Sequence, residues 1–188
     1  MELDFRQLTI TSIIVGFFLI PIHELGHVIG DWITGHPAAM SYARDYLLSG
    51  GERPFLGILG GPMLPLILSA VSVIFIYRRT KTSIFYPIAI IGTLDRLVFY
   101  LSGMLPSDEK DLANMVGWNI YAFKYIFLSA EVLLLLLVLN SLIKYKVGLK
   151  QIVLVIVIPL LSFFVGASIG VFVVERYVFP VQFKIQFG

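Results

Sequence analysis

Five long apolar runs limit what this chain can fold into. A bilayer's hydrocarbon core is about 30 Å thick, and a helix needs about 20 apolar residues to cross it. Inside lipid every backbone N–H and C=O must find its partner within the protein, and a helix meets that demand by itself. The runs extend from Thr9 to about Ile33, from about Phe55 to Tyr77, from about Ile84 to Leu105, from about Trp118 to Ile143, and from about Gln151 to Val174. The first three end in residues that stop a helix or return it to water: Thr34-Gly35-His36-Pro37, Arg78-Arg79-Thr80-Lys81, and Pro106-Ser107-Asp108-Glu109-Lys110-Asp111. The expectation is an all-α, polytopic transmembrane helix bundle of about five spans. Composition agrees, since 58% of residues are hydrophobic and 14% charged, where a soluble domain is about half apolar and a quarter charged. With no repeat and no linker in its 188 residues, the chain should form a single transmembrane domain over 1–188.

Two polar segments interrupt this pattern. Residues 36–54 carry Arg44, Asp45, Gly50-Gly51, Glu52 and Arg53, which suits a surface loop or a re-entrant hairpin. In the tail, Val181-Gln182-Phe183-Lys184-Ile185-Gln186-Phe187 alternates apolar and polar residues, the period of a short strand. The start, Met1-Glu2-Leu3-Asp4-Phe5-Arg6, lacks a basic signal-peptide segment, and no small-residue cleavage site follows the first run. That run is expected to stay in the mature protein. The absence of cysteine excludes disulfides and thiolate metal sites, and a net charge of +2 gives no sign of nucleic-acid binding. With five spans, Arg6, Arg78, Arg79, Lys81, Lys144, Lys146 and Lys150 share one side, and Arg44, Arg53, Lys110, Arg176 and Lys184 the other. Basic residues favour the cytoplasmic face, so the expected N-terminus is cytoplasmic.

The chemistry concentrates late in the first span, at His23-Glu24-Leu25-Gly26-His27. Residues four apart lie on one helical face, so His23 and His27 point the same way. Zinc accepts imidazole nitrogen and, in catalytic sites, keeps one position for water, which ionises near neutral pH. Glu24 beside the first histidine suits a general base. Ionisable groups at membrane depth are costly and usually mark a function. Two of the chain's three histidines fall at this spacing.

A catalytic zinc needs a third protein ligand, and a carboxylate beside two histidines is a familiar set. The 106–111 segment lies two spans after the 36–54 loop, hence on the same side as His23. Asp108 can bind metal or cap a helix starting near Glu109. Asp111 can bind metal or stay solvated, and Asp95 can bind metal or pair with Arg96. Asp31, four residues after His27, suits the role of orienting a histidine. Glu131 is expected to face Lys124 or a polar cavity. His36 falls outside the spacing of an extended histidine motif, where position 33 is Ile33.

The motif within a membrane span resembles the site-2 protease family of intramembrane zinc metallopeptidases. Leu59-Gly60-Gly61-Pro62-Met63-Leu64 is similar to the family's Gly-Pro segment, and Ser107-Asp108-Glu109-Lys110-Asp111-Leu112-Ala113 to a Ser-Asp…Leu-Ala pattern of compact members. The match spans roughly residues 10–115 and departs at Glu109, where the family usually has Gly. The resemblance implies that His23, His27 and Asp108 bind Zn2+, with Asp111 and Asp95 open as alternatives. It further implies that Glu24 activates water, and that the substrate is a peptide bond in or near another protein's membrane span. The glycine-rich 50–61 region is a candidate extended edge for that substrate. The rival expectation is a non-enzymatic metal-binding membrane protein, a transporter or client-binding scaffold, drawing on Asp95, Arg96, Lys124 and Glu131.

Overall fold

Asp4 starts the first helix earlier than hydropathy alone suggests. Its Oδ1 accepts from the backbone N–H of Gln7 at 3.0 Å, satisfying one of the free donors at a helix start. The computed structural model describes residues 3–78, 82–103 and 105–178. The strand expected at Val181–Phe187 and the side chain of Asp95 lie outside the described residues. In chain order the elements are α1 (Phe5–Ile33), β1 (Ala38–Met40), β2 (Asp45–Leu47), α2 (Phe55–Tyr77), α3 (Thr82–Leu101), α4 (Ser107–Val116), α5 (Ala122–Lys144) and α6 (Leu149–Ile169). A π-helical extension, Gly170–Val178, continues α6.

Five of these helices are long and apolar enough to cross a membrane. The protein is thus an all-α polytopic bundle of about five spans. Two ends differ from the sequence expectation for local reasons. α3 stops at Leu101 because Gly103 turns the chain with φ +79°. α5 starts at Ala122 because α4 closes on Gly117, left-handed at φ +68°, and Asn119–Tyr121 form a turn. The 36–54 segment holds an antiparallel hairpin, β1 against β2, with Ala39 opposite Tyr46.

α3 packs against α1, α2, α5 and α6. One core gathers Leu8, Ile76, Tyr86, Ala89, Leu142 and Val155. A second, at the other end, joins Ile58, Tyr100, Leu112, Ala113, Phe123 and Phe127, and it seats the short helix α4 through Leu112 and Ala113. Ile13, Ile14, Phe18, Leu133, Leu136 and Val165 are exposed on the outside, as a lipid-facing surface requires.

Lipid is as apolar as leucine, so helices within it associate through close packing rather than exclusion from water. α1 and α2 meet through glycine. A Cβ on Gly30 would overlap the carbonyl of Leu56, and one on Gly26 would overlap that of Gly60. Gly30→Ala is therefore expected to destabilise the fold by about 1–3 kcal/mol, the range for overpacking. Thermal unfolding in detergent checks this, and an unchanged midpoint would contradict the contact.

Candidate metal centre

The helical spacing read from the sequence brings the two histidines together. His23 Nε2 and His27 Nε2 lie 3.2 Å apart. His27 is buried, and its Nδ1 is 2.7 Å from the carbonyl oxygen of Gly57 at the start of α2. A carbonyl only accepts, so Nδ1 carries the proton and Nε2 presents its lone pair to the site. Asp31, expected to orient a histidine, does something else. It is buried and pairs through Oδ2 with Arg53 Nε at 3.2 Å, and a backbone carbonyl takes the orienting role.

Asp108 arrives from a different helix. Its Oδ2 is 3.2 Å from His23 Nε2 and 3.5 Å from His27 Nε2. Two atoms bound to one tetrahedral zinc at 2.0–2.1 Å lie about 3.3 to 3.4 Å apart. The 3.2, 3.2 and 3.5 Å sides of this triangle fit such an ion. Asp108 is not a helix cap: Pro106 occupies the cap position, with no side-chain cap bond. Burial pushes the Asp108 carboxyl up, but the adjoining His23, His27 and Arg96 together outweigh it. The group is held well below the usual carboxylate range. Asp111, one turn on, is exposed and lies outside the cluster.

Arg96 completes this side. Its Nη2 donates to Asp108 Oδ2 and lies 2.8 Å from His23 Nε2. Its Nε is 3.6 Å from Glu109 Oε1, and Glu109 accepts from the Tyr100 hydroxyl at 2.6 Å. Arg96 thus reaches α4; the pairing with Asp95 that the sequence suggested involves a side chain outside the described residues. Glu131 is buried on α5, while Lys124 lies over the Tyr100 ring at 5.6 Å from its centroid.

Glu24, next to His23 in the chain, lies by His27. The candidate ligand atoms of Glu24, His27 and Asp45 all fall within 4.8 Å of one another. Asp45 comes from β2 and is tied to Arg53, so Arg53 links the hairpin to Asp31 on α1. The turn of the hairpin is anchored as well. Pro21 has no N–H to give to the Phe17 carbonyl, and the Tyr42 hydroxyl donates to that oxygen instead. Burial pushes the Tyr42 hydroxyl up to about 12, so it keeps its proton at neutral pH. Glu175 of the C-terminal extension accepts from Ser41 Oγ at 2.9 Å and from the Ala43 N–H at 3.1 Å.

A comparison of the chain with family models, curated proteins and solved structures finds no match in any of the three. The site is therefore read from its own geometry. His23, His27 and Asp108 form one cluster, and Glu24 borders it through His27. His36 stands apart at the end of α1, with Nδ1 3.2 Å from Thr34 Oγ1. Within the 50–61 region, residues 55–61 are helical and offer no extended edge, while 50–54 are not helical. The extended backbone near the site is the hairpin. A cleft of about 510 Å³, lined by Glu52, Arg53, Ile58, Asp108, Asp111 and Asn114 among others, opens onto the Asp108 side. Asp45 and Arg96 are the site residues that sequence reading missed. Arg96 carried a signal, an arginine within an apolar run. Asp45 carried none, since only the hairpin register brings it to Glu24.

Proposed function

We propose that this protein is an intramembrane zinc metallopeptidase, similar to the site-2 protease family, cutting a peptide bond in or near a substrate protein's membrane span. The observation that carries this reading is the three-atom triangle of His23, His27 and Asp108, drawn from two helices, with a carboxylate of its own at Glu24 beside it. His23, His27 and Asp108 would hold the ion. When bound, zinc supplies Lewis acidity toward a carbonyl and lowers the pKa of water.

The chain's residues divide the remaining work. The Gly57 carbonyl fixes the His27 ring, and the Arg96 charge favours the ionised form of Asp108. Glu24 takes a proton from the attacking water and gives it to the leaving amine. The cleft beside Asp108 admits water and an unwound stretch of substrate. A helical substrate hides its carbonyls in backbone hydrogen bonds and must open locally first. Basic-residue counts favour a cytoplasmic N-terminus, which places the cleft toward the opposite face.

Glu24→Gln tests the reading. The neutral amide cannot accept the proton, and the positioned base contributes about 10² to 10⁴-fold in rate. Zinc content is expected to stay at the wild-type level. The checks are elemental analysis of the purified protein and mass spectrometry of new peptide termini in membranes expressing either form. A metal transporter or scaffold predicts instead that both forms yield the same termini.

A further inference from the structure

The end of the bundle away from the metal centre carries charge that the chain does not balance. α5 closes at Lys144, the turn to α6 holds Lys146, and Lys150 follows in the first turn of α6. All three lysines are exposed. No acidic residue occurs between Glu131 and Glu175, and among the described residues none of the three lysines has an ion-pair partner. The described acid at this end, Asp4, caps α1. The turn is also fixed in place. The Tyr145 hydroxyl donates to the Tyr77 carbonyl at 3.1 Å, which docks the turn on the C-terminal end of α2. Lys144 Nζ lies 5.4 Å from the centroid of the Tyr77 ring, within cation–π range. Both α5 and α6 are long and apolar enough to cross a membrane. Their shared end therefore stands where hydrocarbon gives way to lipid headgroups.

We propose that Lys144, Lys146 and Lys150 form a docking surface for the headgroup of an anionic phospholipid, a phosphate diester with no ammonium of its own. A cation at this depth attracts negative headgroups by roughly fivefold in affinity, so three together give about 100-fold. A zwitterionic headgroup brings its own cation into the patch and cancels much of that gain. A soluble phosphate has the charge but no acyl chains. Ile143 and Leu149 are strongly exposed beside the lysines, and they supply the apolar contact that only a lipid uses. None of these residues touches the metal centre, so the inference stands apart from the zinc reading.

The test uses the full chain in a neutral detergent, titrated with dioctanoyl phosphatidylglycerol, dioctanoyl phosphatidylcholine or glycerol phosphate. Native mass spectrometry counts what is bound. Wild type is expected to prefer phosphatidylglycerol over phosphatidylcholine by at least about 10-fold. Replacing the three lysines together, Lys144→Gln, Lys146→Gln and Lys150→Gln, is expected to bring phosphatidylglycerol down to the phosphatidylcholine level. Arg44→Gln with Lys110→Gln, at the other end of the bundle, is expected to change the preference by no more than about twofold. Thermal unfolding checks that each variant is folded. If the triple variant is not, the single variants decide, each losing roughly fivefold. Equal affinity for the two lipids in wild type, or a preference that survives the lysine substitutions, would overturn the proposal. Glycerol phosphate bound as tightly as phosphatidylglycerol would do so too, leaving a site for a soluble anion. An equal loss in the Arg44 and Lys110 variant would mean that net charge, and not this patch, sets the preference.

Discussion

Asp108→Asn is expected to strip zinc from the protein and leave its helices folded. The substitution keeps size and shape and removes the charge. Asp108 makes no capping bond that Asn must replace; its oxygen faces His23, His27 and Arg96. The fold loses a carboxylate at the first turn of α4, an interaction with the helix dipole worth about 0.3–1 kcal/mol. On the proposed reading, an ion would lose one of three protein ligands, and the one among them that carries a negative charge. A loss of affinity larger than the 10- to 100-fold typical of a supporting residue is expected. Elemental analysis of the purified variant reads the metal, and thermal unfolding reads the fold. Asp111→Asn and His36→Ala serve as controls and should retain zinc, since neither side chain belongs to the cluster. Full zinc occupancy in Asp108→Asn would remove Asp108 from the ligand set.

Gly61→Ala is expected to do similar damage from a residue that binds nothing. Gly61 lies on α2 with its face against both imidazoles. A Cβ there would overlap His27 Nε2 and come against His23 Nε2. The overlap is with the ends of side chains, not with backbone, so the helices need not separate. The rings would rotate away, and that motion breaks the 3.2 Å spacing of the two nitrogens. Unfolding should shift little, because Ala favours a helix by about 1 kcal/mol over Gly, which offsets the crowding. Zinc affinity should fall by at least 10-fold, the lower end of what disturbing a ligand's surroundings typically costs. A cobalt(II) spectrum matching wild type would show that the rings do not move. Gly30→Ala makes a useful contrast: its new methyl meets the Leu56 backbone, so it should affect stability more than metal binding.

The amino-acid sequence by itself determined the spans and the pairing of the two histidines in the candidate metal centre. Both follow from local rules. Twenty apolar residues in lipid have to be helical, and residues four apart on a helix share a face, so His23 and His27 needed no knowledge of the rest of the chain. The span count also placed the 106–111 segment on the histidines' side, because a helix that crosses a bilayer must come out on the other face.

Only the tertiary structure brings Asp108 rather than Asp111 to the histidines. Asp108 and Asp111 are one turn apart on α4, and sequence spacing does not say which one faces α1. The burial of Leu112 and Ala113 against Phe123 and Phe127 sets the rotation of α4, directing Asp108 inward and leaving Asp111 exposed. The partner of Asp31 was equally hidden, since Arg53 reaches it from a loop whose path depends on the hairpin. Asp45 meets Glu24 because Tyr42 docks on the carbonyl that Pro21 leaves open, which holds the hairpin against α1. Arg96 meets Asp108 because α3 and α4 share a core. Each of these contacts joins segments far apart in the chain. Their geometry is set by how helices rotate and approach one another, which no local pattern encodes.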